Sequence, residues 1–226
     1  MEARISATHF PLETLGPGRR LGIWFQGCSL ACAGCMSRHT WDADGGRPKR
    51  ISDLLELWEA ALGGGAEGLT VSGGEPLEQA GALAELLAGA SRLREPARRE
   101  RDGSGDMPDL LVYTGYEPAE LTPVHRRALR HADALITGRY RAGQPTRLVW
   151  RGSANQRLRP LTPLGEARYA PHLAREGTGG GLQAVVDTRE GPGVRIYGVP
   201  LRGELRRVER GLREAGVVLR RPSWRP

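Results

Sequence analysis

Gly68-Leu69-Thr70-Val71-Ser72-Gly73-Gly74-Glu75-Pro76-Leu77 changes its hydrophobic period in the middle. An apolar run closes at Val71, a polar glycine turn follows, and Leu77, Ala80, Leu83, Leu86 and Leu87 then recur at helical spacing through residue 93. Pro76 suits a first helical position, where its missing N–H costs nothing. The stretch reads as strand, turn and helix. Working outward, residues 51–62 predict an amphipathic helix with Ser52 as N-cap and Leu54, Leu55, Trp58 and Leu62 on the buried side. Further strands are expected at 21–25, 110–113, 134–137 and 147–150, with a helical segment at 123–131. Strands alternating with helices imply right-handed crossovers and a parallel sheet covered on both faces, an α/β fold. Ligands of such sheets bind at the C-terminal ends of the strands. The turn at 72–76, the loop after residue 25 and Thr114-Gly115-Tyr116 should therefore meet at one rim.

Residues 92–108 are polar and charge-dense and read as a surface loop without chemistry. A glycine linker at 176–181 precedes an expected hairpin, 182–186 with 194–197 around Glu190-Gly191-Pro192-Gly193. A helix over 201–215 and a strand over 217–219 complete the chain.

The 226 residues are 39% hydrophobic and 26% charged, which suits one globular domain. Thirty-two glycines and sixteen prolines are scattered without period, so collagen-like and wholly disordered readings fail. No apolar run reaches the roughly 18–20 residues that span a bilayer. Arg19-Arg20 precedes an apolar run too short for an export signal, and the cytoplasm is the expected compartment. Net charge is +7, with Lys49 the single lysine among 33 basic residues. The arginines are dispersed and lack interleaved aromatics, which speaks against nucleic acid. A positive surface does suit an acidic protein partner.

Cys28, Cys32 and Cys35 are the only cysteines. An odd set within eight residues is no disulfide framework and points to a metal or redox centre. Three thiolates can hold three corners of a cubane iron–sulfur cluster, leaving the fourth iron open to bind a small molecule. Alternatively, His39 completes a Cys3His zinc site. Gly63, Gly65 and Gly68 match a dinucleotide fingerprint by letter, but they follow a helix and precede a strand, the reverse of the required context. Neither a Gly-x-Ser-x-Gly elbow nor a Walker A sequence is present.

Gly16-Pro17-Gly18-Arg19-Arg20, Trp24-Phe25-Gln26-Gly27-Cys28 with Cys32 and Cys35, and Ser72-Gly73-Gly74-Glu75-Pro76 together resemble the radical S-adenosylmethionine enzymes. The likeness is strongest to activators of glycyl-radical enzymes. Val112-Tyr113-Thr114-Gly115-Tyr116, Ile136-Thr137-Gly138-Arg139-Tyr140 and residues 151–157 narrow it to the anaerobic ribonucleotide reductase activating type. It covers about residues 15–160 and leaves 161–226 as a C-terminal hairpin and helix extension of a single domain, 1–226.

The resemblance implies a partial (β/α)6-type barrel. It implies that Cys28, Cys32 and Cys35 hold a 4Fe-4S cluster whose open iron binds S-adenosylmethionine. Gly73, Gly74 and Glu75 would take the ligand's ammonium, Thr114 would lie near its ribose or methionine part, and Ser153 and Asn155 would hydrogen-bond the cofactor or a partner backbone. No catalytic residue beyond cluster and cofactor is implied. One electron would cleave the cofactor to methionine and a 5′-deoxyadenosyl radical, which takes a hydrogen atom from the substrate. The partner implied is a glycyl-radical protein such as anaerobic ribonucleotide reductase, with flavodoxin or ferredoxin as electron donor. A radical enzyme acting on a ribosomal peptide or small molecule is the first alternative, and a non-enzymatic zinc module is the alternative from another class. Many superfamily members carry an aromatic residue immediately before the third cysteine, packing near the adenine. Gly34 stands there instead.

Overall fold

The computed structural model describes all residues except 101–106, 178–180, 188–192, 220–221 and 223–226. Four strands form the parallel core: β2 (Arg20–Phe25), β4 (Gly68–Gly73), β5 (Asp109–Thr114) and β6 (Ala134–Thr137). Antiparallel strands flank it on both sides. β1 (Glu2–Leu12) pairs with β2 and with β3 (Arg47–Arg50), while β7 (Arg157–Pro160) pairs with β6. The sheet order is β3-β1-β2-β4-β5-β6-β7.

Alternation along the core strands divides the interior in two. Leu21, Ile23 and Phe25 of β2, Leu69 and Val71 of β4, Leu110 and Val112 of β5 and Leu135 of β6 face α1 (Ile51–Gly63), α2 (Ala80–Glu100) and α3 (Pro123–Ala128). Trp58 of α1 is fully buried there and donates from Nε1 to the Ala90 carbonyl of α2 at 3.2 Å. Burying an apolar side chain of this kind contributes roughly 1.5–3 kcal/mol. The opposite face carries Leu111, Ala134, Ile136 and Leu158 under Tyr169 of α4 (Pro163–Tyr169). Farther along that face, Leu12 and Leu15 pack under Tyr197 of a separate hairpin, β8 (Leu182–Asp187) with β9 (Gly193–Gly198). With both faces covered, the core strands read as nearly continuous apolar runs.

Several expectations are corrected. α1 starts at Ile51 with no side-chain cap, and the Met1 carbonyl accepts from the Ile51 N–H instead of Ser52 capping the helix. The polar stretch from residue 92 continues α2 to Glu100, and Arg94 is buried in an ion pair with Asp133. Residues 147–150 form no strand. Leu148 makes one isolated bridge to Glu176, and Trp150 turns at φ 61° to pack against Tyr169. The strand pairing with β6 is β7, ten residues later. Residues 217–219 are irregular, and the expected helix over 201–215 is α5 (Glu204–Glu214). The glycines at 179–180 and the hairpin turn at 190–192 lie outside the described residues. Among the described residues no helix is long and apolar enough to cross a membrane.

Candidate active site

The cysteine loop leaves the sheet after β2 and is suspended by backbone hydrogen bonds. Gly27 donates to the Thr40 carbonyl at 2.8 Å and Cys28 to the Trp41 carbonyl at 3.1 Å, closing the loop at its neck. Gly74 donates to the Phe25 carbonyl and Glu75 to the Gly27 carbonyl, both at 2.8 Å, which fastens that neck to the end of β4. These bonds explain the paired glycines. Gly73 has φ +117°, and a Cβ there would overlap the backbone of Phe25; a Cβ at Gly74 would overlap the Gly27 carbonyl. The two glycines make room for the cysteine loop itself, a purpose the ligand-approach reading of the sequence did not contain.

Side chains complete the suspension. Gln26 Nε2 donates to the His39 and Asp42 carbonyls at 3.1 and 2.8 Å. Glu78, in the short 3-10 turn Pro76–Gln79, accepts at Oε1 from the Ser29 N–H at 2.7 Å and from its hydroxyl at 2.6 Å. Inside the loop, Cys35 N–H donates to the Cys32 carbonyl at 3.1 Å and Ser37 N–H to Cys35 Sγ at 3.4 Å.

Glu75 ties the rim together. Its Oε1 accepts from Leu77 N–H at 3.0 Å and from the Thr114 hydroxyl at 2.9 Å, and Oε2 accepts from Gly115 N–H at 2.7 Å. The carboxyl thus joins the end of β4 to the end of β5. Burial pushes its pKa up to about 7 against the pull of these three donors. Thr114, predicted to lie near a ligand, lines the cavity while its hydroxyl is engaged by Glu75.

The three loops expected at one rim do enclose one open cavity, of about 560 Å³. Cys28, Cys32 and Cys35 line it together with Gly73, Gly74 and Glu75. All three thiols are free and half-buried, and burial raises the pKa of Cys28 to about 11 and that of Cys35 in the same direction. His39 is not in the lining. Among the described residues, no three His, Cys, Asp or Glu side chains gather tightly enough to hold one metal ion. Three cysteines that line one cavity without gathering on a single point suit a cluster, in which each thiolate serves a different iron, better than a single zinc.

Ser153 and Asn155 do not reach the cavity. Ser153 Oγ accepts from the Arg141 N–H at 3.1 Å, and Asn155 Nδ2 donates to the Arg139 carbonyl at 2.9 Å, so both serve the loop after β6. Arg151 is buried with its guanidinium on the carbonyls of Val149, His172 and Leu173. Sequence reasoning missed Trp41, Tyr140 and Gln156, which do line the cavity, and Glu78, which orients Ser29. Tyr140 and Gln156 fall inside stretches that carried the resemblance, and Glu78 stands one helical turn after Glu75, whereas nothing local marked Trp41.

A family model described as a 4Fe-4S single cluster domain matches residues 14–159. The anaerobic ribonucleoside-triphosphate reductase-activating protein of Enterobacteria phage T4 is 31% identical over 145 residues, covering 63% of this chain and 85% of the relative. Its counterpart in Pasteurella multocida is 33% identical over 156 residues, covering 66% and 92%. A crystal structure of QueE from Escherichia coli aligns with a TM-score of 0.40 at 18% identity, over 63% of this chain and 74% of that one. The chain belongs to the 4Fe-4S single cluster domain family and, within it, to the anaerobic ribonucleoside-triphosphate reductase-activating proteins.

Proposed function

We propose that the chain is a radical S-adenosylmethionine enzyme that installs a glycyl radical on a partner protein of the anaerobic ribonucleoside-triphosphate reductase class. The observation that carries this reading is that all three cysteines line one cavity together with the Gly73–Glu75 turn. Cys28, Cys32 and Cys35 would hold the cluster, and the exposed backbone of the turn with Thr114 would border the cofactor. When bound, a reduced 4Fe-4S cluster with S-adenosylmethionine supplies a 5′-deoxyadenosyl radical.

The chain's own residues position and shield. Gln26, Glu78 and the glycine pair fix the cysteine loop against β4, so the thiols meet an incoming cluster without reordering the sheet. Glu75 holds the floor of the cavity shut between β4 and β5, and the two apolar cores beneath exclude water.

The +7 net charge supports an acidic flavodoxin or ferredoxin as electron donor, and the cytoplasm is the compartment we assign. Tyr197 packed on Leu12 supports one domain spanning 1–226 rather than a detached extension. Anaerobic reconstitution tests the reading. About four irons per chain, and 5′-deoxyadenosine on dithionite reduction with S-adenosylmethionine, are the expected outcome; one zinc per chain and no cleavage would overturn it.

A further inference from the structure

Tyr140 stands in the loop after β6 and lines the cavity beside the cysteine loop. Its ring is flanked by two glycines at opposite edges. A Cβ at Gly34 would lie 3.6 Å from Tyr140 Cε1, and a Cβ at Gly152 would lie 3.0 and 3.3 Å from Cδ2 and Cε2. Any larger residue at 152 would crowd the ring, and Gly34 at φ +78° adopts a backbone that other residues enter only with strain. The glycines therefore leave a slot the width of one aromatic ring.

The backbone on each side of Tyr140 is clamped. Gln156 Nε2 donates to the Gly138 carbonyl at 2.9 Å, Asn155 Nδ2 to the Arg139 carbonyl at 2.9 Å, and the Arg141 N–H donates to Ser153 Oγ at 3.1 Å. Gln156 is in turn fixed by Gly152 N–H, which donates to its Oε1 at 2.7 Å. Three side chains from residues 153–156 thus hold three carbonyl or amide groups around one tyrosine. This much ordering exceeds what a solvent-facing loop needs, and it removes in advance the entropy that a ligand would otherwise have to freeze.

We propose that Tyr140 is the stacking platform for the purine ring of the nucleoside cofactor, held in place by Ser153, Asn155 and Gln156 as positioning residues. The inference rests on the reading of the cavity given above and adds to it the residue that recognises the base. A flat ring held at its edges offers its face, and a purine is the flat part of the ligand assigned to this cavity. Stacking of a base on an aromatic side chain is sequence-tolerant and strong enough to measure on its own.

The test is calorimetric binding to the full, iron-loaded chain without reductant, so that no cofactor is consumed. S-adenosylmethionine and free methionine, which lacks the purine, are titrated separately into the wild type, Tyr140→Leu and Tyr140→Phe. The expected result is that Tyr140→Leu weakens S-adenosylmethionine about ten- to a hundredfold, that Tyr140→Phe restores most of the affinity, and that methionine binds all three alike. The proposal is overturned if Tyr140→Leu binds S-adenosylmethionine like the wild type, or if it loses both ligands by the same factor, since the ring would then merely brace the loop. A wild type that loads iron but does not bind S-adenosylmethionine would instead refute the underlying reading of the cavity, a separate failure visible before any variant is made. The cluster's absorption spectrum, unchanged in Tyr140→Phe, checks that the variants are folded.

Discussion

At the N-terminal end of the parallel strands, Arg20 and Asp109 are fully buried and joined by two hydrogen bonds of 2.7 and 3.0 Å, and Arg168 and the Tyr169 hydroxyl close on the same carboxylate. At the C-terminal end, 15 Å or so farther along strands of this length, β2 and β4 are fastened mainly by peptide groups, Gly74 to Phe25 and Glu75 to Gly27. The first end consumes its polar side chains in satisfying one another. The second leaves side chains over, and these are the three thiols. A sheet of this kind can be rigid at both ends yet reactive at only one, because backbone bonding holds the strands without occupying the groups that a ligand needs.

Breaking each end should have different consequences. Cys32→Ala should abolish iron retention and 5′-deoxyadenosine formation, while the iron-free chain keeps its unfolding free energy to within about 0.5 kcal/mol; iron analysis and urea titration check the two halves. Asp109→Ala leaves Arg20 buried without its carboxylate and should cost about 3–5 kcal/mol, whereas the fraction that remains folded should still load iron. If the folded fraction of the Asp109 variant failed to load iron, the two ends would not be independent.

Glu75 sharpens the contrast, since its carboxyl ties the end of β4 to the end of β5 at the reactive end. Its folded pKa of about 7 lies above the usual value of 4.5, so the folded state binds the extra proton between these limits. Stability of the iron-free chain should therefore fall as pH rises from about 4.5 to 7 and level off above, by roughly 3 kcal/mol in all. Subtracting the Glu75→Gln profile from the wild-type profile isolates this contribution, and a flat difference would show that the carboxyl is not so buried in solution. The smallest effect is expected for Gly74→Ala, whose methyl must displace the Gly27 carbonyl. About 1–3 kcal/mol of overpacking should appear together with lower iron occupancy, because the same carbonyl anchors the cysteine loop.

The reactive end was more legible than the scaffold that carries it. Cysteine spacing and the glycine turn are read from a few adjacent letters, and the convergence of three loops follows from strand order alone. Thr114 was placed correctly at the rim, but what it touches depends on Glu75, 39 residues away. β3 escaped because Arg47-Pro48-Lys49-Arg50 is exposed throughout and has no apolar period; it is a strand only because β1 lies beside it, Glu2 opposite Arg50 and Ile5 opposite Arg47. Leu148-Val149-Trp150 failed in the opposite sense. Its apolar letters are those of a strand, yet they serve packing against Tyr169 and His172 from an irregular backbone. Ser153 and Asn155 were singled out by resemblance and turn out to grip the neighbouring loop, a placement no local pattern encodes.

Gln183, in β8, donates to the Pro11 carbonyl at 2.8 Å and accepts from the Glu13 N–H at 3.1 Å, a contact spanning about 170 residues. Tyr197 likewise reaches back to stack on His9 and to cover Trp24. Strand β1 is therefore roofed by chain that is synthesised about 170 residues after it. Throughout synthesis of the intervening chain, the Leu12 and Trp24 side of β1 and β2 faces solvent, an apolar strip on a nascent protein and a point of vulnerability to aggregation. Translation speed through the codons of β8 and β9, and the chaperones present while they are read, should govern how much of this enzyme reaches its folded form.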